Sequence, residues 1–469
     1  MSEYKLLING ELVDGAGESI DVINPATEAP VSKLSVASEK QLGEAVAAAK
    51  AAFPKWAAMP SSQRKELLDA TVQRVNDSAE EIAKLIVAEQ GKTLELAKVE
   101  LMLSDLFCSY FANQQAPDEV LADDDAQYAA IHRKPLGVVA CIMPWNFPFV
   151  QAIYKMAPAL IAGNTVILKP SPFTPLSTLK LGELVADIFP AGVVNIIADN
   201  NDLGPAITAH PDIAMVSFTG STPTGKAIMA SASATMKRVT LECGGNDAGI
   251  VLDDADPKKI AAGIFGGAFM NSGQVCVALK RLYVHESLYE ELCGELAEMA
   301  NNAIIGDGMD PETQFGPVQN KAQFEKVKSY IEDAKANGTI IAGGEVPDRK
   351  GYFLPLTVVR DIDDGTRVVD EEPFGPILPV LKYSDLDDAI ERANASSYGL
   401  GGSVWSSNLE RAQDVAQRLE CGTAWINQHP AFAPNIPFPA SKESGIGVEW
   451  GPEALHEYSS MQVINAAKG

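Results

Sequence analysis

Histidine and cysteine are scarce in this chain, five and six among 469 residues. The cysteines are Cys108, Cys141, Cys243, Cys276, Cys293 and Cys421; none forms a C-x-x-C pair, and the histidines give no cluster at zinc spacing. No metal site is expected. A large cytosolic protein has little need of disulfides either. No apolar run is long enough to span a bilayer, because proline, asparagine or lysine breaks the longest ones. The opening MSEYKLLING lacks a basic region leading into an apolar stretch, so it does not read as a secretion signal, and a cytoplasmic location is expected. Positive charge is short as well: 37 Lys and Arg stand against 62 Asp and Glu, a net charge of −25. That balance argues against nucleic acid or an anionic membrane as partner and leaves an anionic cofactor only local helix N-termini and a few lysines. Repeats and low-complexity linkers are absent too.

What is present is an ordinary globular composition, 46% hydrophobic and 21% charged, on a chain too long for one core. Two or three closely packed domains are expected. Residues from about 36 to 112 carry apolar side chains at helical period, with Ser61 or Ser62, and then Asp77 or Ser78, as caps. From Pro135 short buried strands alternate with helices: LGVVACIMP, FPFVQAIYKMAPALIAG, NTVILKP, TPLSTLKLGELVADIF, VVNIIAD, IAMVSFTG and TGKAIMASASA. This alternation predicts βαβ units and a parallel sheet covered by helices. A second α/β block begins near Gly244, and the tail Ser459–Ala466 reads as a short strand.

Five stretches carry candidate chemistry. In MPWNFPF, Pro144 and Pro148 stiffen the backbone around Asn146, whose amide serves either as a turn former or as a fixed donor to an oxyanion. In VILKPS, Lys169 ends a strand where open α/β sheets bind ligands; it is solvated or reaches a ribose or phosphate. SFTGSTPTGK is a strand, a glycine turn and a helix start, where Gly220 and Gly225 would let the backbone approach a diphosphate, although it is not the G-x-G-x-x-G fingerprint. In TLECGGND, Glu242 ends an extended run beside flexible glycines, either exposed or a general base acting through water. In NSGQVCVALK, Cys276 follows a glycine-containing turn. With disulfide and metal set aside it is a buried hydrophobe or a nucleophile, and at the mouth of a helix or strand its thiol would ionise easily.

In order along nearly the whole chain, PWNFP, LKPS, FTGSxxxG, ExGGN, FxNxGQxC, EEPFGP (371–376) and PFxxxKxSGxGxExG (437–451) resemble the aldehyde dehydrogenase superfamily. The resemblance implies an α/β fold with a Rossmann-like dinucleotide-binding domain (1–117 and 136–243), an α/β catalytic domain (244–445) and a small β bridging element (118–135 and 446–469). The bridging strand would extend a neighbour's sheet and give a homodimer or homotetramer. The implied reaction is oxidation of an aldehyde to its acid with NAD, NADP or both as cofactor. Cys276 would be the nucleophile, Asn146 the oxyanion donor and Glu242 the base. Trp145, Lys169, Ser171, Gly220, Ser221, Gly225, Glu372 and Phe374 would contact the cofactor. Phe147, Val150, Tyr154, Met270, Phe432 and Phe438 would line the aldehyde tunnel. Lys442 would fix a loop, and His429 is a plain loop histidine or a contact to a polar tail.

The pattern also departs from the family. Many NAD-preferring members carry Glu three residues after the motif lysine, where this chain has Pro172. A carboxylate there would repel a 2′-phosphate and proline does not, so NADP is expected to be tolerated. A Gly–Gly pair common in the C-terminal motif is Pro439–Ala440, and Cys243 replaces the usual leucine after Glu242. The apolar tunnel positions point to uncharged medium-chain or aromatic aldehydes. Semialdehyde oxidation and coenzyme-A acylation are the alternatives, the second opposed by the presence of Glu242.

Overall fold

The computed structural model describes residues 4–115 and 117–468. Residues 1–3, at the start of the N-terminal stretch read above, and residues 116 and 469, within the expected domain spans, lie outside the described residues.

The helical period between 36 and 112 becomes four helices: Glu39–Ala58, Ser61–Asp77, Ala79–Gln90 and Leu94–Ala112. Ser38 opens the first through a capping box, its hydroxyl accepting from Gln41 N–H while the Gln41 side chain accepts from Ser38 N–H. The second differs from expectation. Pro60 holds the cap position and Ser61 is already the first helical residue, with no side-chain cap bond. Ser78 does precede the third helix, again without a side-chain bond.

The alternating region forms an eight-stranded sheet in the order Glu11–Val13, Leu6–Ile8, Val194–Ile196, Thr165–Lys169, Val138–Ile142, Ile213–Thr219, Arg238–Glu242, Gly445–Ile446. The five strands from Val194–Ile196 to Arg238–Glu242 are mutually parallel. Val138–Ile142 and Thr165–Lys169 are buried at every residue, as apolar strands covered by helices on both faces must be. The chain runs outward from Val138–Ile142 on one side and then crosses to Ile213–Thr219 on the other. The sheet therefore has its switch point between those two strands, where open α/β sheets hold ligands.

A second sheet follows the order Thr339–Ala342, Thr357–Arg360, Ile377–Tyr383, Leu279–His285, Asp247–Val251, Gly401–Trp405, Thr423–Ile426, and only its first pairing is antiparallel. Alternate residues serve opposite faces: Ile250, Tyr283, Leu381 and Val404 enter one core, and Val251, Leu282, Val284 and Val380 the other. A third, antiparallel sheet joins Ser459–Ala467 to Gln127–Pro135 and Glu119–Asp123.

Candidate active site

Helix Pro257–Phe269 ends in a turn with Asn271 at φ 51°, Ser272 at φ 55° and Gly273 at φ 71°. Three left-handed residues in a row reverse the chain before Cys276. Position 273 must be glycine, because a Cβ there would lie 2.2 Å from the Gly375 carbonyl oxygen. The close approach fastens the 371–376 loop against the nucleophile turn. Cys276 is partly buried, at the end of that turn and ahead of strand Leu279–His285. It is not at a helix N-terminus, and the expected easy ionisation is corrected. Burial pushes the thiol up to about 12; Lys280 pulls it back down, while Glu242, Asp247 and Glu372 add to the rise.

Asn146 sits between strand Val138–Ile142 and helix Pro148–Ile161, 3% exposed. Its amide nitrogen donates to the Gln274 carbonyl at 2.9 Å, which aims the side chain at the cysteine turn. Its own carbonyl accepts from Lys92 Nζ at 2.9 Å and from the Asn271 amide at 3.2 Å. Lys92 is fully buried with Glu100, whose other oxygen accepts from the N–H groups of Phe149 and Val150 at the start of the helix. The Lys92–Glu100 pair thus grips the loop on both sides of Asn146. Sequence reasoning missed this pair, because Lys92 lies in the turn between two N-terminal helices and Glu100 in the second of them, far in sequence from Asn146.

Glu242 ends its strand with both carboxylate oxygens buried and unpartnered among the described residues. Burial raises its pKa well above the ordinary carboxylate range, the charge on Glu449 raises it further, and Lys155 opposes both. Lys155 is buried and paired with Glu449, and it also donates to Ser217 Oγ at 3.2 Å. A lysine inside a helix buried at all fourteen positions is a signal that sequence reading could have used.

Asn146, Glu242 and Cys276 line one cavity of about 70 Å³. Phe147, Val150, Tyr154, Phe432 and Phe438 line it too, together with Leu103, Phe107, Gln151, Thr219, Glu449 and Trp450. Trp450 is its aromatic centre, stacked on Phe438 at 4.5 Å and edge-on to Phe432 at 5.4 Å. It was missed although it lies in the C-terminal motif. Met270 differs from the other five tunnel candidates in lining a neighbouring cavity, with Lys92, Thr93 and Asn271. His429 is also elsewhere, donating from Nε2 to the Val277 carbonyl at 2.7 Å, buried and pushed down to about 3.

A cleft of about 570 Å³ opens beside this cavity at the sheet's switch point and shares Thr219 with it. Trp145, Lys169, Ser171, Gly220 and Ser221 line the cleft. Lys169 is held by Asp199 at 2.5 Å. Ser221 caps helix Thr222–Ala232 through Thr224 N–H at 3.4 Å. Gly225 is not among the residues lining the cleft; a Cβ there would meet Cys243 Sγ at 2.5 Å, so its small size lets the helix lie against Cys243. Phe374 packs edge-on against Trp145 at 5.3 Å. Glu372 Oε1 accepts from Gly245 N–H and from Lys280, each at 3.0 Å. The size, the strand-end lysine and the helix start fit a dinucleotide. Lys442 anchors its loop by donating to the carbonyls of Asn394 and Ser396.

A mainly parallel sheet with a dinucleotide-sized cleft at its switch point, beside a thiol in the turn ahead of a second sheet, fits an α/β oxidoreductase. The chain belongs to the aldehyde dehydrogenase family, whose profile matches residues 12–464. It is 38% identical to an aldehyde dehydrogenase of a Fusarium species, with 96% of each chain covered. It is 39% identical to a betaine aldehyde dehydrogenase of Rhizobium etli, covering 98% of this chain and 97% of that one. A solved NAD+ complex of an aldehyde dehydrogenase from Bacillus cereus superposes with a TM-score of 0.96 at 39% identity, over 99% of this chain and 96% of the other. Among the described residues no helix is long and apolar enough to cross a membrane.

Proposed function

We propose that this protein oxidises uncharged apolar or aromatic aldehydes to carboxylic acids in the cytoplasm, with NAD or NADP as the hydride acceptor. The observation that carries this reading is the convergence of Cys276, Asn146 and Glu242 on one cavity. Its wall is mainly aromatic and aliphatic and, among the described residues, holds no lysine or arginine to claim the far carboxylate of a semialdehyde. The cofactor would lie in the adjoining cleft, with Lys169 and Ser221 toward the adenosine and diphosphate end and Glu372 and Phe374 toward the nicotinamide, which accepts a hydride from the bound substrate.

The chain's own groups carry the remaining steps. The Cys276 thiol releases its proton to solvent water, and the thiolate so formed attacks the aldehyde carbon. The oxygen of the resulting thiohemiacetal takes hydrogen bonds from the Asn146 amide and the Cys276 backbone N–H. Hydride loss leaves a thioester on Cys276. Glu242 takes a proton from water, the hydroxide adds to the thioester carbon, and the Cys276 thiolate leaves as the acid is released. The aromatic wall excludes other water from the thioester.

Absorbance at 340 nm, followed with a panel of aldehydes and each cofactor on wild type and Cys276→Ala, tests the reading. Reduction of the cofactor should vanish in the variant. Pro172 carries no charge to repel a 2′-phosphate, so kcat/KM with NADP should lie within 1000-fold of that with NAD, about 4 kcal/mol. Activity surviving in Cys276→Ala would end the proposal.

A further inference from the structure

Lys280 begins strand Leu279–His285 four residues after Cys276, and its side chain is 4% exposed. Its ammonium donates to the carbonyl of Cys276 at 2.5 Å, to the carbonyl of Gly245 at 2.7 Å and to Glu372 Oε1 at 3.0 Å. The three donors of an ammonium are all used. Burying that charge is costly unless such partners meet it, and only one of the three is an anion. The arrangement joins three separate stretches: the turn that carries the thiol, the Gly244–Gly245 backbone behind Glu242, and the 371–376 loop. A Cβ at Gly244 would lie 2.3 Å from Glu372 Oε2, so the carboxylate lies directly against that backbone.

We propose that Lys280 is a positioning residue that ties the Cys276 turn to Glu372 and supplies the cation in whose field the Cys276 thiolate forms. The readiness of the nucleophile then depends on how the charge of Lys280 is shared with Glu372. This inference rests on the reading of Cys276 as the nucleophile.

The other charged groups around the thiol set the sign of each variant. Glu242, Asp247 and Glu372 oppose ionisation of Cys276, and Lys280 is the cation that favours it. Asp247 is itself pushed up to about 7, first by burial, so it is largely neutral below that pH. Lys326 donates to the Glu372 carbonyl at 3.1 Å, and burial keeps His429 neutral. Removing the Lys280 charge should therefore hinder thiolate formation, and removing the Glu372 charge should help it.

The test follows carbamidomethylation of Cys276 by iodoacetamide in the full chain without cofactor, read by mass spectrometry of the Cys276 peptide from pH 7 to 10. Lys280→Met should slow the reaction at pH 8 by about tenfold, the equivalent of one pH unit. Lys280→Arg should restore most of the rate, and Glu372→Gln should raise it severalfold. A distorted turn would not be corrected by moving charge alone, whereas a field effect predicts rescue by Lys280→Arg and acceleration by Glu372→Gln. Wild-type rates in Lys280→Met, or a slower reaction in Glu372→Gln, would overturn the proposal. Should Lys280→Met fail to fold, Glu372→Gln decides alone, and an unchanged rate there counts against it. If alkylation of wild-type Cys276 leaves aldehyde oxidation intact, the nucleophile reading fails, whatever the variants show.

Discussion

Glu242 presents two carboxylate oxygens with no partner among the described residues, in a cavity of about 70 Å³. Its proton is therefore held well above the ordinary carboxylate range by burial, with Glu449 adding to the effect. The base form exists only above that raised value, so thioester hydrolysis should fall about tenfold for each pH unit below it. Glu242→Gln should lose about 10² to 10⁴ in steady-state kcat yet keep a single-turnover burst of cofactor reduction, because the thioester still forms. Rapid-mixing absorbance checks this; loss of the burst together with kcat would place Glu242 before the hydride step. At this scale local context left Asn146, Glu242 and Cys276 open between structural and chemical roles, and the serial resemblance of seven motifs singled them out. The left-handed turn over Asn271, Ser272 and Gly273 was not legible, because no spacing rule reports three consecutive left-handed backbones. Lys280 lay within the stretch around Cys276, yet its role depends on Glu372, 92 residues away.

The helices position the loops by spending buried carboxylates on them. Glu89, in helix Ala79–Gln90, accepts from the N–H groups of Leu176 and Ser177 at 2.6 and 2.9 Å, satisfying the start of helix Leu176–Val185. Burial lifts it to about 7. A carboxyl that holds its proton more tightly folded than unfolded makes the folded state lose stability as pH rises from the ordinary carboxylate range through that value. Glu89→Gln removes this titration. Urea unfolding should show the wild-type-minus-variant difference moving in favour of the variant between about pH 5 and pH 8, and a constant difference would refute it. Elements with a long period were legible, as the four helices between 36 and 112 show. The three-residue strands Leu6–Ile8 and Glu11–Val13 were not, because so few residues show no period and their place depends on sheet neighbours.

Across the whole molecule, the three-stranded sheet leaves Ser459–Ala467 as an edge strand with Met461, Val463 and Ile464 55%, 54% and 45% exposed. A long edge strand carrying apolar side chains invites pairing with another sheet. Assembly into a homodimer or homotetramer through this strand follows as a proposal. Met461→Lys combined with Val463→Lys should move the sedimentation coefficient toward that of a single 49.9 kDa chain without loss of far-ultraviolet circular dichroism. A wild-type protein that already sediments as a monomer would sink the idea.

The sequence by itself determined the parallel α/β sheet, since apolar runs alternating with helical periods have few other ways to bury both faces. It also singled out Cys276, Asn146 and Glu242 as candidates, through seven motifs in series and not through any one stretch by itself. The tertiary structure decided which side chains meet. Lys92 and Glu100 reach the Asn146 loop from another layer, Trp450 enters the pocket from the far end of the chain, and Lys280 finds Glu372 across a loop. Charge state was decided there too, because burial, not local sequence, sets the ionisation of Cys276, Glu242 and Asp247. Desolvation and long-range contacts exist only once the chain has closed around them.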